Sequence, residues 1–582
     1  MAEIKGATAE EHGKLCADRK RATERSLTGE ATLTPPPSLP EGGEIDLVDL
    51  DGCPYYARVL SSDLDGLAER FRAKPPFPHE LDAFCREENL CAYELTKRLA
   101  PHARVVTAPY AFFFHPFIRR ALFDWLRVRP DEVDLVVDEA HNLPSYLRDL
   151  TTVSLPLDSV RRAREEVQER GDFQLSEGPS ATRFFDVVAA SIEELVHALV
   201  REEDAVLPPN LFEETLLAAV GGTTHRLDTW LGSLATWGEN LKEERRKERH
   251  LPRSWTHTVA LTLLSWPKLE PPQYAKVATR APRAAIEAYA LDAAVPAQPV
   301  LESHLSVHLS GTLAPLEEYR DALGFGSAAR LLDVPSYFPP EHTRYLYDAS
   351  VTTQFEALRS DPHAIARLAD RIARVLEALP VKTAVFFPSF ELMQKVLGAG
   401  LQAQLPPNAF IEYAKVPIAD LWRSVEGWKS DPKGTVLLGV AGGRLSEGID
   451  YPDEELEAVV LVGIPYPRPT AKRLALREFL DKTTGRGFEY TIEAPAQRVI
   501  RQAVGRMIRS ENDRGIAILL DRRAPKFASA LPGLAPLEDL PRLARSFYGR
   551  RARWSASASP SPGARADGAG EPSDGEGAPA RL

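Results

Sequence analysis

The sequence has no long apolar run and few cysteines. No stretch of its 582 residues approaches the ~18 apolar residues of a membrane span, and no basic, apolar and small-residue series opens the chain as a secretory signal does. These absences predict a soluble intracellular protein, cytoplasmic and without a membrane partner.

All four cysteines lie within the first 91 residues, at Cys16, Cys53, Cys85 and Cys91. Disulfides are rare in the cytoplasm, so this grouping favours a metal centre over four unrelated buried thiols. Zinc sites usually draw ligands from close pairs, whereas the gaps here are 36, 31 and 5 residues. That irregular spacing favours an iron-sulfur cluster over zinc.

Length and charge set only broad bounds. A chain of 582 residues has room for about three or four domains. The net charge of -12 argues weakly against a nucleic-acid partner, but a whole-chain charge averages over local basic grooves. Residues from about 555 onward are rich in Ser, Pro, Gly and Ala, which predicts a disordered tail.

Two apolar strands and a helix follow the cysteine-bearing region. Residues 103–110 and 133–141 predict buried strands, and residues 117–126 predict a helix between them. The second strand ends in Asp138 and Glu139, the arrangement of a Walker B element, in which one carboxylate holds Mg²⁺ and the next activates water. An Asp-Glu pair after a strand is also common in plain surface turns.

Residues 152–285 predict a helical insertion. It contains a basic run, 242–253, which either contacts nucleic acid or is a solvated helix end. The strand pattern resumes at 304–316 and ends in Ser310, Gly311 and Thr312. These small residues could hydrogen-bond between two moving parts, although a strand-to-turn junction needs no function.

A second α/β unit extends from 345 to about 550. Predicted strands at 383–390, 435–443, 458–467 and 515–523 alternate with predicted helices at 362–379, 391–401, 470–480 and 495–509. This order predicts a parallel sheet. The glycine-rich loop at 442–450 can bring backbone amides close to a phosphate or a nucleic-acid backbone, and its candidate residues are Arg444, Ser446, Gly448 and Asp450.

The predicted helix at 495–509 carries two arginines on one face. Gln502, Gly505, Arg506 and Arg509 follow the i, i+3, i+4, i+7 pattern, opposite an apolar stripe of Ile500, Val504, Met507 and Ile508. Arginines presented in this way suit a phosphoryl group in transfer. The alternative is a solvated arginine face.

Six segments, taken in order, resemble the later motifs of the XPD and DinG helicases of superfamily 2. They are LVVDEAHN (135–142), HLSGTLAPL (308–316), AVFFPSFELM (384–393), GGRLSEGIDYP (442–452), GIPYPRP (463–469) and QAVGRMIR (502–509). The resemblance runs from about residue 10 to 525, and it places an iron-sulfur domain before the DEAH box, where the cysteines are.

The resemblance implies two RecA-like parallel-sheet motor domains, the first incomplete, with a small iron-sulfur domain and a helical Arch-like insertion. On this sequence the bounds would be 1–100 for the cluster domain, 101–151 with 286–344 for the first motor domain, 152–285 for the insertion, 345–550 for the second motor domain and 551–582 for the tail. Cys16 and Cys91 look like the first and last ligands of a 4Fe-4S cluster, while Cys53 and Cys85 are placed differently from those of most members.

The implied activity is ATP-driven 5'-to-3' translocation on single-stranded or forked DNA, of the DNA-repair type, near the nucleoid if the source is bacterial. Asp138 would hold Mg²⁺ and Glu139 would activate water. His141 would couple the motor domains, and Arg506 and Arg509, placed by Gln502, would reach the γ-phosphate of ATP. Further protein partners are unknown.

One element of the family is absent from the printed sequence. No GxxxxGK is followed by Ser or Thr, and the only Gly-Lys, at 13 and 14, precedes Leu15. Two hypotheses follow: a helicase whose start is missing here, inactive as written, or a non-hydrolysing DNA-binding or scaffolding relative. An incomplete first lobe would expose an unpaired sheet edge, so we expect poor solubility.

Overall fold

The computed structural model describes residues 20, 53–248, 252–432, 435–447, 449, 451 and 455–549. Contacts divide the chain into unit 1, residues 1–334 with 466–498, and unit 2, residues 335–465 with 499–582. The strands, numbered in chain order, are β1 (Asp134–Val137), β2 (Val153–Pro156), β3 (Asp204–Val206), β4 (Tyr274–Thr279), β5 (Ala285–Ala290), β6 (Leu305–His308), β7 (Thr343–Tyr347), β8 (Thr383–Phe387), β9 (Phe410–Ile411), β10 (Val436–Val440), β11 (Ala458–Val462), β12 (Gly515–Leu520) and β13 (Ala535–Pro536).

Short helices form the first described part of unit 1. They span Pro54–Leu60, Leu64–Ala73, Pro78–Glu87 and Ala92–Leu99. Val59, Cys85, Leu90 and Leu95 pack together as their small buried core. Such a core buries little apolar surface, so a bound metal centre would add substantially to its stability.

A short parallel sheet, β1 paired with β6, forms the next part of unit 1. One face of it is covered by helices Ala111–Phe114, Pro116–Leu126, Leu143–Thr151, Ala294–Ala297 and Leu316–Ala322. Val137 is buried in a core with Phe113, Leu143 and Tyr319. The opposite face is open, because Val136 and Val307 are 63% and 44% exposed.

The predicted strand at 103–110 is wrong. These residues form no strand, and Val105 and Val106 are 81% and 46% exposed. An apolar run becomes a strand only where a neighbouring strand supplies hydrogen bonds. In the described part of the chain, the sheet beside it contains β1 and β6 alone.

The insertion is helical, as predicted, but it also contains an antiparallel sheet in the order β2-β5-β4-β3. Its helices are Leu157–Arg170, Ala181–Leu199, Leu211–Val220, Thr224–Lys247 and Trp255–Ser265. Phe184, Phe185, Trp230 and Trp266 are prominent in the core that they share with the sheet.

Residues 466–498 belong to unit 1, although their sequence neighbours on both sides belong to unit 2. They contain helix Ala471–Thr484 and a π-helical turn, Glu489–Glu493. The carboxylate of Asp204 accepts hydrogen bonds from the N–H groups of Ala471 (2.7 Å) and Lys472 (3.3 Å). The insertion therefore caps this helix from outside it.

Unit 2 is built on a parallel sheet in the order β13-β7-β12-β11-β8-β10-β9, which confirms the predicted parallel arrangement. Its helices are Phe355–Ser360, Ala364–Ala378, Phe390–Val396, Ile418–Ser430, Arg444–Glu447 and Leu540–Tyr548. Helix Ala494–Val504 crosses the division between the units after Arg498. Among the described residues, no helix has both the length and the apolar character needed to span a bilayer.

Candidate nucleotide site and cysteine region

Asp138 and Glu139 follow β1 at the carboxyl end of the unit 1 sheet, and both are exposed. Glu139 has a left-handed backbone, with φ 45° and ψ 43°. Its N–H donates to Oδ1 of Asp138 at 2.9 Å. Two exposed carboxylates at this edge offer the hard oxygen ligands that Mg²⁺ prefers, so the residues present fit that ion.

His141, Ser310 and Thr312 form a polar group beside Glu139. Nδ1 of His141 lies 2.8 Å from Oγ of Ser310 and 3.2 Å from Oγ1 of Thr312. Ser310 donates to Oε2 of Glu139 at 3.1 Å, and that oxygen is 3.4 Å from Nδ1 of His141. Gly311, between the two hydroxyl residues, faces open space. The structure thus brings together two segments that are 171 residues apart in sequence.

Burial chiefly lowers the pKa of His141, and Arg498 lowers it further, while Glu139 opposes both effects. The imidazole is therefore neutral at physiological pH, and one ring nitrogen can accept a hydrogen bond from a hydroxyl. Arg498 was not among the predicted site residues. Its signal in the sequence was its place on the predicted helix, four residues before Gln502.

The second predicted group, on 495–509, differs from its prediction. The α-helix ends at Val504, a 3₁₀ turn spans Gly505–Met507, and Ile508 is extended. Gln502, Arg506 and Arg509 therefore do not share one helical face. The predicted apolar stripe is confirmed as a buried group, made of Ile500, Val504, Met507 and Ile508.

Arg506 is bonded to the glycine-rich loop of its own unit. Its Nε donates to the carbonyl of Ser446 at 2.9 Å, and a terminal nitrogen donates to that of Ile449 at 3.0 Å. The Arg509 backbone N–H donates to Oδ2 of Asp513 at 2.6 Å. Gly505 is exposed with open space around it, and Gln502 is half-buried. Arg506 therefore holds the loop through two backbone carbonyls.

Arg444 and Ser446 make hydrogen bonds to residues in the loop or next to it. Arg444 donates to the carbonyls of Val416 (2.6 Å) and Tyr413 (3.1 Å) and to Oε1 of Glu412 (3.2 Å). Ser446 is buried, and its hydroxyl oxygen accepts from the N–H of Gly443 at 3.0 Å. Gly448 and Asp450 lie outside the described residues. A direct role of this loop toward nucleotide or DNA stays a prediction.

Three of the four cysteines are among the described residues, and they lie at the starts of helices or in the small core. Cys53 and Cys91 are the N-cap residues of helices Pro54–Leu60 and Ala92–Leu99, and Cys85 is buried. Burial first, then Cys91 and Asp82, raise the pKa of Cys85 to about 11. Cys16 lies outside the described residues, which contain no group of three or more His, Cys, Asp or Glu side chains placed to hold a metal.

The thiols present are nonetheless the donors that an iron-sulfur cluster requires. Thiolate ligands suit both this cluster and zinc, so chemistry alone does not separate the two. The charge of Cys91 contributes to the raised pKa of Cys85, so the two residues lie near each other. Bound iron would favour the thiolate form of both residues, because its positive charge offsets their negative charges.

Family comparisons cover most of the chain with three consecutive matches. Residues 2–160 match the DEAD_2 family, residues 163–373 the helical and beta-bridge domain, and residues 372–533 the helicase C-terminal domain. A solved structure titled XPD helicase has the same fold, with a TM-score of 0.53, 20% identity, and coverage of 80% of this chain and 79% of that one.

Among curated relatives, the XPD/RAD3 helicase subunit of the general transcription and DNA repair factor IIH of Saccharomyces cerevisiae is 25% identical over 555 residues. That match covers 82% of this chain and 69% of the yeast protein. The ATP-dependent DNA helicase CHL1 of Meyerozyma guilliermondii is also 25% identical, with coverage of 81% and 62%. The chain therefore spans roughly two thirds of these relatives and belongs to the XPD/Rad3 family of helicases.

Proposed function

We propose that the protein is an ATP-dependent helicase or translocase that moves 5'-to-3' on single-stranded DNA. The observation that supports this most is the contact of Glu139 with Ser310 and His141 at the carboxyl end of β1 and β6. Ser310 and His141 hold the Glu139 carboxylate in one orientation, next to the exposed carboxylate of Asp138. Metal-assisted attack of water on a phosphoryl group requires one carboxylate to orient the water and another to bind the metal.

In this proposal each residue has one task. Asp138 would hold Mg²⁺, which would neutralise charge on the phosphates, and Glu139 would orient a water and accept its proton. Ser310 and His141 keep the Glu139 carboxylate in place. Arg506 and Arg509 supply positive charge to the γ-phosphate of ATP. Contacts to DNA phosphates and stacking on aromatic side chains would make the grip on a strand independent of its sequence.

The cofactor proposed for the first hundred residues is a 4Fe-4S cluster held by Cys16, Cys53, Cys85 and Cys91. The supporting observation is the proximity of Cys85 and Cys91 within one small core. The cluster would tie together short helices that share little buried surface. Its role here is structural, and no step of ATP hydrolysis passes through it.

A second function is favoured by one feature of the sequence. The printed chain has no GxxxxGK followed by Ser or Thr, the loop whose amides and lysine cradle the β- and γ-phosphates. A non-hydrolysing DNA-binding or scaffolding protein would need no such loop. The chain as printed should accordingly hydrolyse ATP slowly or not at all.

Two measurements on the full chain test these functions. The first is binding to a fluorescent single strand and to its duplex across a salt series. We expect tighter binding to the single strand, weakening as salt rises, because phosphate contacts release counterions. Equal affinity for the duplex would contradict the translocase.

The second measurement is ATPase activity with and without single-stranded DNA, for the chain as printed and for a version with a phosphate-loop segment fused in front. We expect activity only in the extended version, and its loss in Glu139→Gln. Glu377→Gln, an exposed carboxylate on helix Ala364–Ala378, is the matched control. An extended chain that binds single strands but stays inactive would favour the scaffold.

A further inference from the structure

Tyr110 reaches the backbone of the acidic turn from a distant part of the sequence. It directly precedes helix Ala111–Phe114. Its hydroxyl donates to the carbonyl oxygens of both Asp138, at 2.6 Å, and Glu139, at 3.0 Å. One side chain therefore binds two consecutive carbonyls of the turn that carries both acidic residues.

The left-handed backbone of Glu139 explains this geometry. Consecutive carbonyls of an extended strand point in opposite directions, so one donor reaches both only where the chain turns between them. Glu139 makes that turn at φ 45°, a conformation that is unfavourable for a residue with a Cβ atom. Such a backbone persists only where its surroundings hold it, and the Tyr110 hydroxyl is one of the groups that do so.

The aromatic ring of Tyr110 is itself held in place. It packs edge-on against Tyr146, with centroids 5.5 Å apart, and against Phe114 at 6.2 Å. Burial, aided by the charges of Asp138 and Glu139, raises the pKa of Tyr110 to about 12. The hydroxyl thus keeps its proton, and with it its donor role, throughout the neutral range.

We propose that Tyr110 is a positioning residue that directs the Glu139 carboxylate toward Ser310 and His141. The inference rests on the proposed function, since it concerns how the general base is aimed. If the turn relaxed toward an extended backbone, the Glu139 side chain would swing away from the Ser310 hydroxyl, 3.1 Å from it. Tyr110 touches no substrate in this account and acts only through Glu139.

The experiment compares Tyr110→Phe with Tyr146→Phe in the full chain. Each change removes a hydroxyl and keeps the ring in the same aromatic contact. The first readout is hydrogen exchange at residues 139–142, which needs no nucleotide. The N–H groups of Ala140 and Asn142 bond to the carbonyls of Leu309 (3.1 Å) and Glu139 (3.0 Å), so they report on the turn. We expect about tenfold faster exchange in Tyr110→Phe only.

The second readout is steady-state ATPase in the version with the phosphate loop. Tyr110→Phe should lower kcat about tenfold or more and leave KM for ATP nearly unchanged. The reason is that the orientation of the general base affects the stability of the transition state and not the binding of ATP. In a Glu139→Gln background the same change should have no further effect on the residual rate. A merely structural role would lower the rate equally in both backgrounds.

The outcomes separate this inference from the proposed function. If the wild-type chain hydrolyses ATP and Tyr110→Phe leaves kcat unchanged, the positioning role is wrong even where exchange rises. If neither the chain as printed nor the version with the phosphate loop hydrolyses ATP, the proposed function fails. Hydrogen exchange alone then tests the role of Tyr110. Faster exchange in Tyr110→Phe only then supports Tyr110 as the group that holds the turn, and unchanged exchange overturns it.

Discussion

Arg498 forms an ion pair with Glu318 in which both side chains are largely buried, at 13% and 9% exposure. Burial lowers the pKa of Arg498 to about 10, and the nearby charge of Arg148 adds to the effect. The pair joins segment 466–498 of unit 1 to helix Leu316–Ala322. The charge of Arg498 also lowers the pKa of His141, so the pair lies close to the proposed catalytic group.

Removing one member of this pair should be costly. Arg498→Met leaves the Glu318 carboxylate buried without its cation, which typically costs about 3–5 kcal/mol. We expect unit 1 to unfold at a lower urea concentration, and circular dichroism measures this transition. The double variant Arg498→Met with Glu318→Leu should recover most of the loss. As a control in the same unit, Lys482→Met breaks an exposed pair with Glu478 and should cost under ~0.5 kcal/mol.

Asp204 should hold helix Ala471–Thr484 against the insertion. Its carboxylate accepts from the first two N–H groups of that helix, and Thr470 accepts from the third, that of Arg473. Asp204→Ala should cost about 1 kcal/mol, the usual value of an N-cap. Limited proteolysis within 466–498 should then be faster. Glu203→Gln, which weakens only an exposed pair with Arg468, should leave the cleavage rate unchanged.

The stability of unit 1 should fall on acidification through His308. Burial lowers the pKa of this imidazole to about 4. The unfolded chain, with a pKa of about 6.5, binds the proton more tightly, so the full stability present above pH 6.5 is lost as the pH falls toward 4. The loss between pH 7.5 and 5.5 should be about 1 kcal/mol, measured by urea unfolding.

The control for His308 is a variant that cannot titrate. His308 Nδ1 lies 2.6 Å from the Tyr319 hydroxyl, so His308→Phe is combined with Tyr319→Phe to avoid leaving that hydroxyl unpaired. The double variant should lose about 1 kcal/mol less than the wild type over the same pH range. His304→Gln, at an exposed site, should behave like the wild type. An identical acid loss in the double variant would show that another group is responsible.

Arg506 should have a measurable role in unit 2 without any nucleotide. Lysine keeps the charge but cannot reproduce the two-point contact with the carbonyls of Ser446 and Ile449. In Arg506→Lys we expect faster hydrogen exchange at 443–447. If exchange is unchanged while the ATPase of the extended chain falls by the ~10³ to 10⁵ typical of an arginine finger, the arginine serves the phosphate alone.

The metal content should distinguish the cluster from zinc. Anaerobically purified protein should be brown, with iron and sulfide each near about four per chain. Cys91→Ser should remove the colour and expose the helices of the first hundred residues to protease together. Zinc in the absence of sulfide would contradict the iron-sulfur proposal.

Secondary structure was predicted most accurately for elements that are buried along their whole length or along one regular face. β8 and β12 are buried on both faces, and both lie inside predicted strands at 383–390 and 515–523. Helix Ala364–Ala378 was likewise predicted, at 362–379, by its periodic apolar residues. The segments around Glu139 and Ser310 were identified by their resemblance to family motifs, because residues of these types at a strand end are too common to single them out alone.

Features set by distant partners were not predicted. β4 and β5 each contain alanines and a charged residue, which are uncommon in strands, and their outer partners β3 and β2 are distant in sequence. Arg444 was expected at a ligand, yet it donates to Glu412 and to carbonyls 28 and 31 residues away. The contact of Tyr110 with the acidic turn was missed because it joins residues 28 positions apart.

The open face of the β1–β6 sheet has a calorimetric consequence. Val136, Leu305 and Val307 are 63%, 53% and 44% exposed while folded, so unfolding hydrates little additional apolar surface there. The heat-capacity increment of unfolding comes mostly from newly hydrated apolar area. These three side chains therefore contribute little to the heat-capacity increment of unit 1. A molecule that covers this face would bury them, and its binding would carry a negative heat-capacity change.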